Sequence, residues 1–518
     1  MNINYLIILI VYVLIMLGIG YWSMRRTKDV GDFFLGGRTL GPWMSAFAFG
    51  TTYFSAVLFI GYAGKLGWGF GIHTMWIVLG NTIIGTILSW SILAGRTRDM
   101  TVRLNAITMP EFLRTRFDSK TLQVISGLVV FVFLVPYSAS VLMGLSWLFS
   151  MTLNVDYNHA LYILTGLTAV YLLMGGYFAV AISDFVRGIV EFGGVMLMVY
   201  LLASKVGGFS HSATVLISDP KAAPGLLAPA NLGAGGPLHI VLPGAMILIS
   251  LVLITSFGPW SLPQMVQKFY SIRSRADVLR ATIIAGVFSL FMAFGAYYSG
   301  ALTHIFYNNK LPVELIAANG KPIYDKVMPH FITTVGLPEV LVVIIVLMVF
   351  SASMSSLSSL VLVSSSAIAI DVYGAFVDRH QNQKNTMVML RVLCVVFVGF
   401  SLYIAVQKPL YIVNLMVISW STLAGVFMAP YIYGLFWKGV TRAGVYAGIF
   451  TGLATATILF IAWGEPGIPV AGAITMFLPM LVVPVVSWMT KPPPKEIIAL
   501  AFGEELEKDP EWKADTTA

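Results

Sequence analysis

The sequence predicts an all-α integral membrane protein of about thirteen transmembrane helices, with two inverted repeats of five at its centre. Three observations predict it. Apolar residues make up 58% of the 518 residues and charged residues only 10%, against about 25% charged in soluble domains. Lys and Arg are sorted between alternate loops. Two apolar stretches, five apart in order, are interrupted at mid-depth, and paired interruptions mark transporters built from inverted repeats.

A crossing needs about 20 apolar residues. Suitable stretches lie near 4–24, 41–70, 72–95, 121–150, 158–175, 180–204, 238–268, 277–306, 328–372, 388–407, 409–437, 442–463 and 467–490. Arg25, Arg26 and Lys28 follow the first stretch; a cleavable signal carries its basic residues in front, so this reads as a retained helix. With the N-terminus outside, 24 of the 31 Lys and Arg fall in inside segments, the bias of cytoplasmic loops. The C-terminus is then inside, and the expected location is the plasma (inner) membrane. The chain reads as one transmembrane domain over 1–518. It comprises an extra N-terminal helix (4–24), repeats at 41–204 and 238–437, two extra helices (442–490) and a cytoplasmic tail (491–518).

The net charge of +8 follows this loop bias, so the expected partners are the lipid bilayer and a small-molecule solute, not nucleic acid. Cys394 is the single cysteine, which leaves no intramolecular disulfide and no Cys-based metal site. The seven histidines are scattered without a ligand-spaced pair, so no catalytic centre and no organic cofactor are expected. A channel would need a continuous polar path; here polar residues cluster at mid-depth between apolar flanks.

The first interrupted stretch carries Phe49-Gly50-Thr51-Thr52-Tyr53-Phe54-Ser55, then Gly61 and Gly64. The second carries Phe257-Gly258-Pro259-Trp260-Ser261-Leu262-Pro263, where two prolines and a glycine unwind a helix. The ninth stretch is crowded with hydroxyls. At helical spacing Ser351, Ser355 and Ser358 share one face, and Ala352, Ser356 and Ser359 the next. Hydroxyls and loosened carbonyls at this depth suit a hard cation such as Na⁺; equally, serines let helices pack closely. A carboxylate near membrane depth, Asp184, is spaced i, i+3, i+7 with Arg187 and Glu191. It could ligate a cation or close an ion pair.

Several ordered stretches resemble the sodium:solute symporter family. Gly175-Gly176-Tyr177-Phe178-Ala179-Val180 followed by Ser183-Asp184 is similar to its Gly-Gly…Ala-Val…Asp segment, and Ala352 to Ser359, on to Asp371 and Tyr373, to its hydroxyl-rich helix. Phe33 to Arg38, Pro263 with Lys268-Phe269 (Lys where many members have Arg), and Gly425 to Pro430 with Gly434 to Trp437 and Thr441 to Gly448 match further segments. The resemblance implies the leucine-transporter-type inverted-repeat fold and Na⁺ as coupling ion. It implies a first sodium held by the carbonyls of Thr51, Phe54 and Ala352 and the hydroxyls of Ser355 and Ser356. A second is implied at Asp184, Ser355, Ser358 and Ser359.

The resemblance places the solute between the breaks. The candidates are Tyr53, Ser55, Leu58, His73, Tyr137, Ser138, Thr255, Trp260, Gln264, Ser419 and Thr422. His73 at a helix start also fits an interfacial ring. Few amide or acid side chains stand there, and no Arg or Lys lies at the centre of the fourth stretch. The expected solute is therefore a small carboxylate or amino acid, proline-, pantothenate- or monocarboxylate-like, imported by alternating access. A sodium/sugar or sialic acid symporter, a proton-coupled carrier and an ion channel are the alternatives. A monomer suffices, and a homodimer is left open.

Overall fold

In lipid every backbone polar group must find a partner within the protein, so helices dominate. The computed structural model describes residues 7–18, apart from 9 and 17, and residues 38–174, 177–376 and 383–503. The Phe33–Gly37 segment, Gly175, Gly176 and the end of the tail thus lie outside the described residues. The helices used below are α1 (Pro42–Tyr53), α2 (Ala63–Phe70), α3 (Lys120–Leu153), α4 (Tyr157–Met174), α5 (Tyr177–Lys205), α6 (Ala245–Phe257), α7 (Pro263–Ser271), α8 (Ala276–Phe306), α9 (Glu339–Ser366), α10 (Gln383–Gln407), α11 (Ile412–Phe436) and α12 (Arg442–Trp488).

Among the described residues, nine helices are long and apolar enough to cross a membrane. Two of them, Val57–Arg103 and Arg442–Trp488, have 47 residues and would each be about 70 Å long if straight, over twice the ~30 Å hydrocarbon core. Both are broken at a glycine with left-handed φ, Gly71 (53°) and Gly464 (58°). At Gly71 an added Cβ would also stand 2.1 Å from the Ala222 carbonyl.

Three stretches differ from their hydropathy limits. The third helix continues to Arg103. The seventh starts only at Ala245, because Ala230–Leu232 (β1) and Ile240–Leu242 (β2) pair as a short antiparallel hairpin. The ninth is two elements: a short helix, Val327–Thr334, then Gly336 with φ 71° and Pro338, and only then α9, which continues in wide, π-type turns to Val372.

The first break falls at Phe54–Ala56, where there is neither Gly nor Pro; Phe54 is extended (φ −109°, ψ 117°). What holds it open is α9. The Ala56 N–H donates to Ser353 Oγ (3.3 Å), and Ser356 Oγ reaches the Thr51 and Thr52 carbonyls. The second break follows the sequence: a tight turn over Gly258–Trp260, extended Leu262, and Pro263 opening α7 at the position where its missing N–H costs nothing.

α5 shows how the bundle sorts its faces. Ile189, Met196 and Tyr200 are exposed, whereas Asp184, Arg187 and Glu191 are fully buried. The polar face therefore turns inward, as a charge at membrane depth must. α5 packs against α9 and α1, α8 packs against α1 and α2, and α11 is the most enclosed crossing, with 94% of its apolar window buried.

Candidate functional site

The last turn of α1 leaves carbonyls that no helical N–H can reach, and α9 delivers hydroxyls to them. Ser355 Oγ lies 2.8 Å from Thr51 Oγ1 and 2.7 Å from Asp184 Oδ1. The Thr51 proton is directed at the Phe47 carbonyl, 2.9 Å away, so one Ser355 proton faces two acceptors. Ser356 Oγ stands 3.1 Å from both the Thr51 and the Thr52 carbonyl, again one proton for two acceptors. The cluster is fully buried and carries more oxygen lone pairs than protons, which is the donor set a hard cation takes. Phe54 and Ala352 are buried on the same two elements.

Asp184 enters this cluster from α5. Its Oδ1 accepts from Ser355 and lies 3.6 Å from Arg187 Nη1. Its Oδ2 has no protein partner among the described residues. Both readings of Asp184 thus apply: it sits beside a guanidinium and also faces the α9 hydroxyls. Arg187 stacks over the Tyr171 ring at 4.7 Å. Ser359 Oγ is 3.0 Å from Thr52 Oγ1 and accepts from Lys268 Nζ at 3.1 Å. Ser358 turns its proton back to the Met354 carbonyl (2.6 Å).

A small cavity lies beside this cluster between the two breaks, lined by Tyr53, Phe54, Ser55, Leu58, Thr255 and Trp420, with Tyr62, Asn81, Tyr297 and Met416. Its free space is about 20 Å³, room for roughly one water. The Tyr53 hydroxyl donates to the Thr255 carbonyl (2.6 Å), linking the two broken helices, and the Tyr53 ring stacks on Trp420 at 5.8 Å. Tyr137 meets Trp420 edge-on at 5.8 Å.

Other expected solute contacts lie elsewhere. His73 is exposed in the turn after Gly71. The Trp260 indole N–H donates to the Ile84 carbonyl (2.9 Å), and Ser419 donates to the Phe133 carbonyl. Ser138, Gln264 and Thr422 are buried but do not line the cavity. Sequence reasoning missed Thr52, Asn81, Tyr297 and Trp420: Tyr297 comes from α8, an element it did not bring to the site, and the other three from stretches it did. It also counted Lys268 among the loop cations, whereas Lys268 is fully buried. Its place within one helical turn and a half of Pro263 is the signal that could have found it.

A second polar cluster joins α2, α11 and the Tyr324–Lys326 turn. Lys65 Nζ donates to Asn414 Oδ1 (3.0 Å) and lies 4.7 Å over the Tyr411 ring; Asn414 Nδ2 donates to Glu465 Oε1 (3.1 Å). Asp325, in the turn Tyr324–Lys326, accepts from the Ile412 N–H (3.2 Å). Burial pushes the Asp325 carboxyl up to about 7, opposed by the Ile412 N–H and Lys65 and aided by Glu465. An acid raised in the native state holds its proton there while the unfolded chain, at about 3.9, has lost it. Stability contributed by this group therefore falls as pH rises from about 4 to about 7. Asp325→Asn stays neutral, so its melting temperature is expected to fall less than the parent's between pH 5 and pH 8. Parallel curves would show that another group titrates.

The model of the sodium:solute symporter family matches residues 33–452. The high-affinity proline transporter PutP of Bacillus subtilis is 28% identical, with 88% of this chain and 90% of that protein covered. The osmoregulated proline transporter OpuE of the same organism is 27% identical over 96% of each chain, and the sodium/proline symporter of Escherichia coli 28% identical over 88% and 87%. A substrate-bound, outward-open structure of a Na⁺-coupled sialic acid symporter superposes with a TM-score of 0.73 at 18% identity, covering 95% of this chain and 98% of the other. Mhp1, a nucleobase-cation-symport-1 family transporter, superposes with a TM-score of 0.51 at 14% identity, covering 91% and 98%. These likenesses show the leucine-transporter-type fold. With the family match over four-fifths of its length, the chain belongs to the sodium:solute symporter family: it is a sodium-coupled solute symporter.

Proposed function

We propose that this symporter imports a small amino acid or carboxylate, proline first among them, together with two sodium ions. The observation that carries the reading is the surplus of oxygen lone pairs over protons where α1, α5 and α9 meet. Thr51, Phe54, Ala352, Ser355 and Ser356 hold the first sodium, and Asp184, Ser355, Ser358 and Ser359 the second. Sodium at the first set ties α9 to the loosened end of α1 and so to the solute cavity next to it. The cavity lining is mostly aromatic and apolar, with Ser55, Asn81, Thr255 and the Tyr62 and Tyr297 hydroxyls as its polar points and no charged side chain. Such a lining suits a compact ring or short chain better than a sugar, which needs many hydrogen-bond partners. The relatives named as proline transporters point the same way. The unwound amides of the two breaks hold the solute carboxylate, as helix ends hold anions. The chain lies in the plasma membrane with its N-terminus outside, and one copy completes the site.

A thermal-shift screen tests this, since a ligand that binds the folded state raises apparent stability. Proline and other amino acids, small acids and sugars are each added in Na⁺ and in K⁺. Stabilisation by proline or another small carboxylate, in Na⁺ only, is the expected result. Stabilisation by a sugar alone, or to the same degree in K⁺, overturns the reading.

A further inference from the structure

Four ionisable side chains are buried around the second cation set: Asp184, Glu191, Arg187 and Lys268. Two are acidic and two basic. Lys268 comes from α7, the half of the second broken helix that follows Pro263. The proton directions along its contacts can be read off. The Thr52 proton goes to the Ala48 carbonyl, 2.7 Å away. Ser359 therefore gives its own proton to Thr52 (3.0 Å) and offers a lone pair to Lys268 Nζ (3.1 Å). The ammonium also attracts the Asp184 carboxylate by charge, although the cation in contact with that carboxylate is Arg187, 3.6 Å from Oδ1. Lys268 thus draws on two of the groups proposed to hold the second sodium, one oxygen away from where that ion would sit.

We infer that the Lys268 ammonium and the second sodium compete for one seat beside Asp184 and Ser359, so that Lys268 sets how tightly that sodium is held. This rests on the two-sodium reading above. Two buried like charges sharing one oxygen neighbour repel strongly, so a sodium entering beside Ser359 favours withdrawal of the ammonium. Lysine suits withdrawal: it is a compact charge on a flexible four-carbon stem, whereas a planar guanidinium clamps a carboxylate through two parallel bonds. Because the stem belongs to α7, entry of the second sodium releases α7 from α9. Occupancy of the cation seat is thereby passed to the second broken helix.

The test is a sodium titration of the purified full chain in lipid nanodiscs, read as the rise in melting temperature and as equilibrium binding of radioactive sodium. Lys268→Gln keeps a donor for Ser359 but removes the charge; it is expected to lower the sodium concentration at half-saturation of the weaker binding event at least tenfold. Lys268→Arg keeps the charge in a form that yields less readily; it is expected to raise that concentration at least tenfold. The two variants are opposed, so if Lys268→Gln fails to fold, Lys268→Arg alone decides. A midpoint unchanged from the parent in the variants that fold, or moved the opposite way, overturns the inference. Asp184→Asn separates it from the reading it rests on. If Asp184→Asn binds the same number of sodium ions at the same midpoints as the parent, the second site itself is wrong. If Asp184→Asn loses one binding event while the Lys268 variants match the parent, only the competition is wrong.

Discussion

Asp184→Asn is expected to lower the Hill coefficient for sodium in uptake from near two to near one while transport stays saturable. The amide still accepts from Ser355, which now lies 2.7 Å from Asp184 Oδ1, so the meeting of α5 and α9 survives. What disappears is the negative charge. The consequence for accumulation is large. An inward sodium contributes about 2.3 kcal/mol at 100 mV and about 1.4 kcal/mol for a tenfold gradient. One ion therefore supports roughly 500-fold accumulation of a neutral solute, and two support on the order of 10⁵-fold. A monoanion carried with one sodium loses the voltage contribution and reaches only about tenfold. Sodium dependence of uptake in proteoliposomes, with the current per transported solute, measures both quantities. A parent protein that itself shows a Hill coefficient near one would remove the second ion from the scheme.

Gly300→Ala is expected to abolish most uptake and to lower the melting temperature, with no change to any group in the cation or solute site. α2 and α8 touch backbone to backbone. A Cβ on Gly300 would stand 2.2 Å from the Ala63 carbonyl, and one on Gly67 would stand 2.4 Å from the Gly300 carbonyl carbon. Small residues at such crossings let membrane helices approach closely. α2 and the turns just before it have no room to retreat on their other contacts: a Cβ on Gly61 would meet Ile412 at 2.6 Å, and one on Gly64 the Tyr324 carbonyl at 2.7 Å. Overpacking of this kind costs about 1–3 kcal/mol where side chains can yield, and here backbone opposes backbone. Gly69→Ala, on the same helix with open space around it, is the control and is expected to match the parent in uptake and in melting temperature. Equal behaviour of the two variants would show that the α2–α8 contact does not constrain transport.

The two breaks illustrate how far a reading of residues alone reaches. The one at Gly258–Leu262 is legible because Pro and Gly act through their own backbone chemistry. The one at Phe54–Ala56 is legible only as a stretch, Phe49 to Ser55, and not to the residue, because its extended residues are ordinary; the helix opens where Ser353 and Ser356, some 300 positions later, supply the lost hydrogen bonds. The same distinction separates Ser355 from Lys268. Serines repeated at helical spacing announce a polar face within one stretch. A lysine near the end of an apolar stretch looks like a loop cation until α9 is packed against it.

Composition, hydropathy and the placing of Lys and Arg settle that this chain is a helical membrane protein, since each follows from the cost of exposing charge or backbone to lipid. Helical spacing likewise settles that hydroxyls gather on α9 and charges on one face of α5, because it depends on neighbours within two turns. Which carbonyls the hydroxyls meet, that Lys268 reaches Ser359, that His73 is exposed and that Trp420 lines the cavity are decided by packing. Those contacts join residues 91 to 305 positions apart or remove one from its expected neighbours, and no local periodicity encodes the distance between two helices that meet only when the bundle closes.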